Sequence, residues 1–244
     1  MSSKIGLKLT LKYSLNFTIP KRSKKLIKFI IIHYTGMKKE NDAINKLCSP
    51  KSKVSSHYYI KSNGDIINLV PDFYEAWHAG KSNWKSFRSL NRHSLGIEIT
   101  NPGHLHGYKN FSRKQIYSLK KLLSFLMKKY KINKKNILGH SDISPSRKKD
   151  PGEKFPWETL SKKGLSLWHK FKVKKLKKYR KIQLTNKKEE NLFLNNLSKI
   201  GYVFKKNKKL EVKHVVQAFQ RRFRQDLING KVDKECLIIS KSLI

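Results

Sequence analysis

The chain has 244 residues, of which 38% are hydrophobic and 11% aromatic, and its formal net charge is +40. That apolar content supports a packed core and excludes wholesale disorder, while the length fits one sizeable domain, or a domain with a small appendage. The charge leaves two readings open: lysines spread over solvated faces, or attraction to a polyanion such as nucleic acid, anionic lipid or an acidic wall polymer.

The N-terminal stretch is broken by Lys4, Lys8 and Lys12, so it has neither the apolar run of a standard signal peptide nor that of a spanning helix. No other window is apolar enough to cross a bilayer, and a soluble protein is expected. Residues 26–34, LIKFIIIHY, are a β-branched run that predicts a buried strand ending at His33. Residues 41–48 suit a short helix. Residues 56–70, SHYYIKSNGDIINLV, read as a hairpin whose tight turn is Asn63–Gly64. Residues 94–100, SLGIEIT, form another short strand, stopped by Asn101–Pro102–Gly103. From residue 111 to 130 the spacing of Ile116, Leu119, Leu123, Leu126 and Met127 predicts an amphipathic helix with Ser112 as its N-cap. A short apolar segment, 136–139, then delivers His140 to a loop.

Together these elements predict an α/β domain over residues 20–168. Residues 169–190 are dominated by charge, the composition of a basic linker or an exposed helix. Beyond them, residues 191–244 recover helical periodicity and predict a three-helix module. A charged tether between two cores predicts that they fold independently. Cys48 and Cys236 are far apart, form no CxxC pair and read as ordinary buried thiols.

The stretch GHSDISPSRKKDPG, residues 139–152, sets a histidine, two lysines and an aspartate among turn-forming residues. A catalytic zinc ion takes three protein ligands and keeps a fourth position for water, which becomes a nucleophile near neutral pH. His140 and Asp150 offer two suitable ligands. The third is best held by the end of a rigid strand, which His33 satisfies. Spacing alone leaves His57, His78, His93, His104 and His106 as competitors.

FIIIHYTG, SSHYYIKSNGDIINLV, EAWHAG, NRHSLGIEI and GHSDISPSRKKDPG, in this order over about residues 25 to 160, closely resemble the type 2 N-acetylmuramoyl-L-alanine amidases. The resemblance implies a mixed central β-sheet flanked by helices, the fold shared with peptidoglycan recognition proteins. It implies Zn²⁺ on His33, His140 and Asp150, an acid/base carboxylate at Glu98, and a lysine at Lys148, with Lys149 next to it. Glu98 sits among Gly96, Ile97 and Ile99, an apolar setting that favours a raised pKa. The resemblance also places His57, Trp77 and His78 along the substrate groove.

The C-terminal segment resembles the three-helix peptidoglycan-binding module often joined to such amidases. Ala218, Phe219 and Gln220 carry that likeness, followed by the turn at Gly230, Val232 and Asp233. Arg221, Arg222 and Arg224 depart from it toward a more basic surface. The implied activity is hydrolysis of the amide between the lactyl group of N-acetylmuramic acid and L-alanine, by a monomer acting on peptidoglycan or muropeptides. A non-catalytic peptidoglycan-recognition protein is the nearest rival. A nucleic-acid-binding protein is less favoured, because the basic residues form no nucleic-acid motif. Wall-binding architecture points to the envelope, whereas the absent signal points to the cytoplasm.

Overall fold

Six strands whose side chains alternate between two buried faces make the frame. The computed structural model describes residues 9–244; the charges at Lys4 and Lys8 lie outside the described residues. In chain order the strands are β1 (Leu9–Leu11), β2 (Phe29–Tyr34), β3 (Tyr58–Ile60), β4 (Ile66–Asn68), β5 (Ser94–Ile99) and β6 (Ile137–Gly139). They lie side by side in the order β1-β4-β3-β5-β2-β6. Within this sheet only the β3–β4 hairpin is antiparallel, and its turn contains Gly64 at φ +90°, a conformation that favours glycine. The sheet is mixed, as the resemblance implies. β1 is an edge strand paired with β4, so the sheet begins before residue 20.

One face carries Ile30, Ile32, Tyr58, Ile97 and Ile99, and packs against Leu119, Leu122, Leu123 and Leu126 of α2 (Arg113–Tyr130). α2 starts at a capping box. The Ser112 hydroxyl accepts the Gln115 N–H while the Gln115 side chain accepts the Ser112 N–H, an arrangement worth about 1 kcal/mol. On the opposite face, α1 (Glu40–Cys48) packs Ala43, Ile44 and Leu47 against Tyr59 and Ile67.

The rest of that face is covered by the C-terminal helices α4 (Lys187–Ile200), α5 (Lys209–Phe223) and α6 (Lys234–Lys241), α3 being the single turn His140–Ile143. Phe29, Ile31 and Leu138 of the sheet share one continuous core with Phe193, Leu197, Phe219, Phe223 and Leu237. Three helices are present, as the periodicity predicts, but independent folding is not what this packing supports. The expected tether is also ordered. Leu176 is buried within a short helix, and Arg180 pairs with Glu235 of α6 at 2.7 Å. Arg221, Arg222 and Arg224 correct the sequence reading too, since all three are buried rather than part of a basic surface. Phe219 and Phe223 face the core. No helix among the described residues is long and apolar enough to cross a membrane.

Candidate metal centre

Strand register does most of the positioning. Tyr59, Glu98 and His33 are direct partners across β3, β5 and β2, so their side chains form one row on one face near the ends of three parallel strands. β6 runs beside β2 and hands the chain to α3, which starts with His140. The loop after α3 folds back so that the Ser141 N–H donates to the Asp150 carbonyl at 2.8 Å.

His33 Nδ1, His140 Nδ1 and Asp150 Oδ2 form a triangle with sides of 2.9, 3.0 and 3.1 Å. All three residues are buried. Among the described residues this is the one group of histidine, cysteine and carboxylate side chains close enough together to hold a metal ion.

Hydrogen bonds behind the triangle set the ring tautomers. The Ser94 hydroxyl donates to the Leu90 carbonyl at 2.6 Å, which leaves its oxygen to accept from His78 Nε2 at 3.3 Å. His78 Nδ1 then accepts from His33 Nε2 at 3.1 Å, so the His33 Nδ1 lone pair points into the triangle. His140 is fixed likewise, its Nε2–H donating to the Ala79 carbonyl at 3.1 Å. Both histidines therefore present unprotonated nitrogen to the same point. The His78 ring lies directly over Gly96, where an added Cβ would come within 2.5 Å of it, so the glycine of GIE makes room for this relay.

Electrostatics agree with the geometry. Burial, followed by the neighbouring His140, lowers His33 to about 4, so it is neutral at pH 7. Burial alone would raise the Asp150 carboxyl, but His140 and His33 hold it far below the usual range. Glu98 goes the other way: burial and then the charge of Asp150 push it well above an ordinary carboxyl, with Lys148 opposing. Its Oε2 is buried without a hydrogen-bond partner.

A cavity of about 410 Å³ opens beside the triangle, and Glu98, Trp77, His78, Lys148 and Lys149 are among its walls. Lys148 is half-buried and its charge bears on both Glu98 and His33, whereas Lys149 is exposed. Trp77 is half-buried at the wall, its indole N–H donating to the Thr18 hydroxyl at 2.8 Å. His57 is not at the groove. Its ring is fully enclosed, accepting the Gly96 N–H at Nδ1 and lying 3.0 Å from the Tyr74 carbonyl at Nε2. Sequence reasoning left His104 only as a competitor for the metal, but it lines the cavity, joined to Tyr34 at 2.8 Å and to Glu153 at 3.1 Å. Ser94 and Ala79 lie within the motifs NRHSLGIEI and EAWHAG, but their hydrogen bonds to His78 and His140 are not visible in sequence.

The buried rings have a consequence for acid stability. His57 is lowered to about 3 and His33 to about 4, by burial first in both cases. Below an unfolded value of about 6.5 the unfolded chain takes up protons that these folded rings refuse, so stability falls as pH falls. Each ring withdraws about 1.4 kcal/mol per pH unit between about 6.5 and its own folded value. Urea midpoints of the metal-free protein at pH 7.0 and 4.5 check this, and an unchanged midpoint contradicts it.

Two neutral nitrogens and one carboxylate oxygen suit a small divalent cation with an open coordination position. With a carboxyl group of raised pKa in the adjacent strand, the site sets three side chains that could hold a metal ion beside a proton acceptor, the make-up of a hydrolase.

A family model described as N-acetylmuramoyl-L-alanine amidase matches residues 22–153. The amidase AmiD of Escherichia coli K12 is 34% identical over 232 residues, 89% of this chain and 82% of that protein. The 1,6-anhydro-N-acetylmuramyl-L-alanine amidase AmpD of Haemophilus influenzae is 35% identical over 150 residues, 54% of this chain and 79% of that protein. The structure of E. coli AmiD in complex with the substrate anhydro-N-acetylmuramic acid-L-Ala-D-gamma-Glu-L-Lys superposes with a TM-score of 0.78 at 32% identity, covering 93% of this chain and 91% of that one. AmpDh3 of Pseudomonas aeruginosa gives 0.77 at 29% identity, covering 93% of each. The chain belongs to the N-acetylmuramoyl-L-alanine amidase family. It is an enzyme that hydrolyses the amide between the lactyl group of N-acetylmuramic acid and L-alanine.

Proposed function

We propose that His33, His140 and Asp150 hold one Zn²⁺ and that Glu98 and Lys148 carry the chemistry. The observation that supports the zinc reading most directly is the buried triangle with both imidazole lone pairs turned inward. When bound, the ion supplies Lewis acidity and makes a water molecule nucleophilic near neutral pH. Glu98 accepts the proton as the water oxygen adds to the amide carbonyl, and returns it to the nitrogen as the carbon–nitrogen bond breaks. The Lys148 ammonium faces the oxygen on which negative charge develops. Trp77 and His104 form walls for the substrate, and His78 orients His33 rather than touching substrate.

The substrates are peptidoglycan fragments and wall polymer, and the enzyme acts as a monomer in the cell envelope, without a nucleic-acid partner. The amidase unit spans residues 20–168, with β1 (Leu9–Leu11) added at the edge of its sheet, and the basic connector spans 169–190. The helical unit, 191–244, adds affinity for the polymer. With its aromatics and arginines buried, that affinity falls to the outward lysines, of which Lys199, Lys205, Lys206, Lys208 and Lys209 are exposed.

Mass spectrometry of products tests this reading. Incubation with anhydro-muropeptides and with intact sacculi releases free stem peptides beginning at L-alanine from both. Because screening shortens from about 10 Å at 0.1 M salt to about 3 Å at 1 M, sacculus binding weakens with salt more than small-substrate turnover. Cleavage at any other bond overturns the assignment, and salt-insensitive sacculus binding removes the lysines' role.

A further inference from the structure

The helical unit reaches the metal centre through one buried side chain. Arg222 of α5 donates from Nη1 to Asp142 Oδ2 at 2.5 Å and from Nη2 to the Ile137 carbonyl at 2.9 Å, its guanidinium stacked 4.1 Å from the Trp157 ring centroid. Asp142 lies in α3, two residues after His140. Its Oδ2 also accepts the Gly139 N–H at 2.8 Å, and its Oδ1 accepts the Tyr202 hydroxyl at 2.7 Å. Asp142 thus ties the turn that starts with His140 to two donors from the C-terminal unit. Arg222 and Asp142 are both almost fully buried, at 3% and 1% exposure, so neither can turn to water for a substitute partner.

We propose that Arg222 is a positioning residue for the metal site, holding the His140 turn through Asp142, and that the helical unit is therefore part of the amidase centre. The inference rests on the zinc reading above. Removing Arg222 leaves a buried carboxylate with one neutral O–H and one N–H donor, and such a group draws its backbone toward any route to solvent. His140 shares that backbone. Losing the partners that orient a metal-binding histidine typically weakens metal binding about 10–100-fold.

The test is zinc affinity of the full chain, measured by competition with a colorimetric chelator, beside urea midpoints of the metal-free forms. Arg222→Met weakens zinc binding by about tenfold or more. Val216→Ala, which removes buried methyl groups from the same helix without touching Asp142, lowers the urea midpoint and leaves zinc affinity unchanged. Equal zinc affinity in Arg222→Met and the parent, or equal weakening in both variants, overturns the inference. Should Arg222→Met fail to fold, Tyr202→Phe decides: removing that hydroxyl weakens zinc binding measurably, and unchanged affinity is the contrary result. A parent chain that takes up no zinc overturns the metal reading and this inference with it, whereas a parent that binds zinc no better than Arg222→Met overturns this inference alone.

Discussion

Glu98→Gln retains zinc while kcat collapses. Glutamine keeps the shape and polarity of the side chain but cannot take a proton from water. The loss should equal the whole acid–base contribution, about 10²–10⁴-fold. Zinc content is unaffected because Glu98 is not in the metal triangle; its register partner is His33, and its Oε2 has no hydrogen-bond partner to lose. Substrate affinity should change little, so the drop falls on kcat rather than KM. Lys148→Met in the same assay lowers kcat by about 10²–10³-fold, the scale of a lost oxyanion donor. Lys149→Met stays close to the parent, since Lys149 is the exposed member of the pair. A silent Lys148→Met with a damaging Lys149→Met would reverse that assignment. An active Glu98→Gln would remove the general base.

Removing the metal has the larger effect, because it takes away the nucleophile and not just its proton acceptor. Chelation abolishes hydrolysis, and added Zn²⁺ restores it. His33→Ala, His140→Ala and Asp150→Ala each lose stoichiometric zinc or all activity. Asp150 is the most sensitive of the three. It supplies the only negative charge in the triangle, and without it a buried cation faces two neutral imidazoles. Metal content and turnover, measured on the same preparations, decide the matter; full activity in a demonstrably metal-free sample would falsify the zinc reading.

The two ends of this active site differed in how plainly the sequence announced them. FIIIHY, Asn63–Gly64 and the Ser112 cap are local signals, and each became the element it predicts, because strand, turn and cap preferences act over a few residues. The His33, His140 and Asp150 group could be read from motif order, and the triangle brings the three together. Arg222 could not be read this way. Its partner Asp142 is 80 residues away, and a run of arginines in sequence looks the same whether it meets solvent or a carboxylate. His78 was legible as part of a motif but not as a relay, since that role depends on the ring lying over Gly96. β1 is three residues long, too short for alternation to stand out, and pairs only because β4 offers an edge.

The sheet face shared by Phe29, Ile31 and Leu138 with the C-terminal helices imposes an order on biosynthesis. The strands leave the ribosome first, but the side chains that cover them, Phe219 and Phe223 among them, come almost at the end of the chain. At about 5–20 residues per second, Phe29 waits roughly 10–40 s for Phe219. Throughout that interval an apolar face and a bare sheet edge are open to other chains, the kind of surface that chaperones hold. The His140 turn emerges without Arg222 in the same way. The contacts that brace this turn are therefore completed only when α5 has been made.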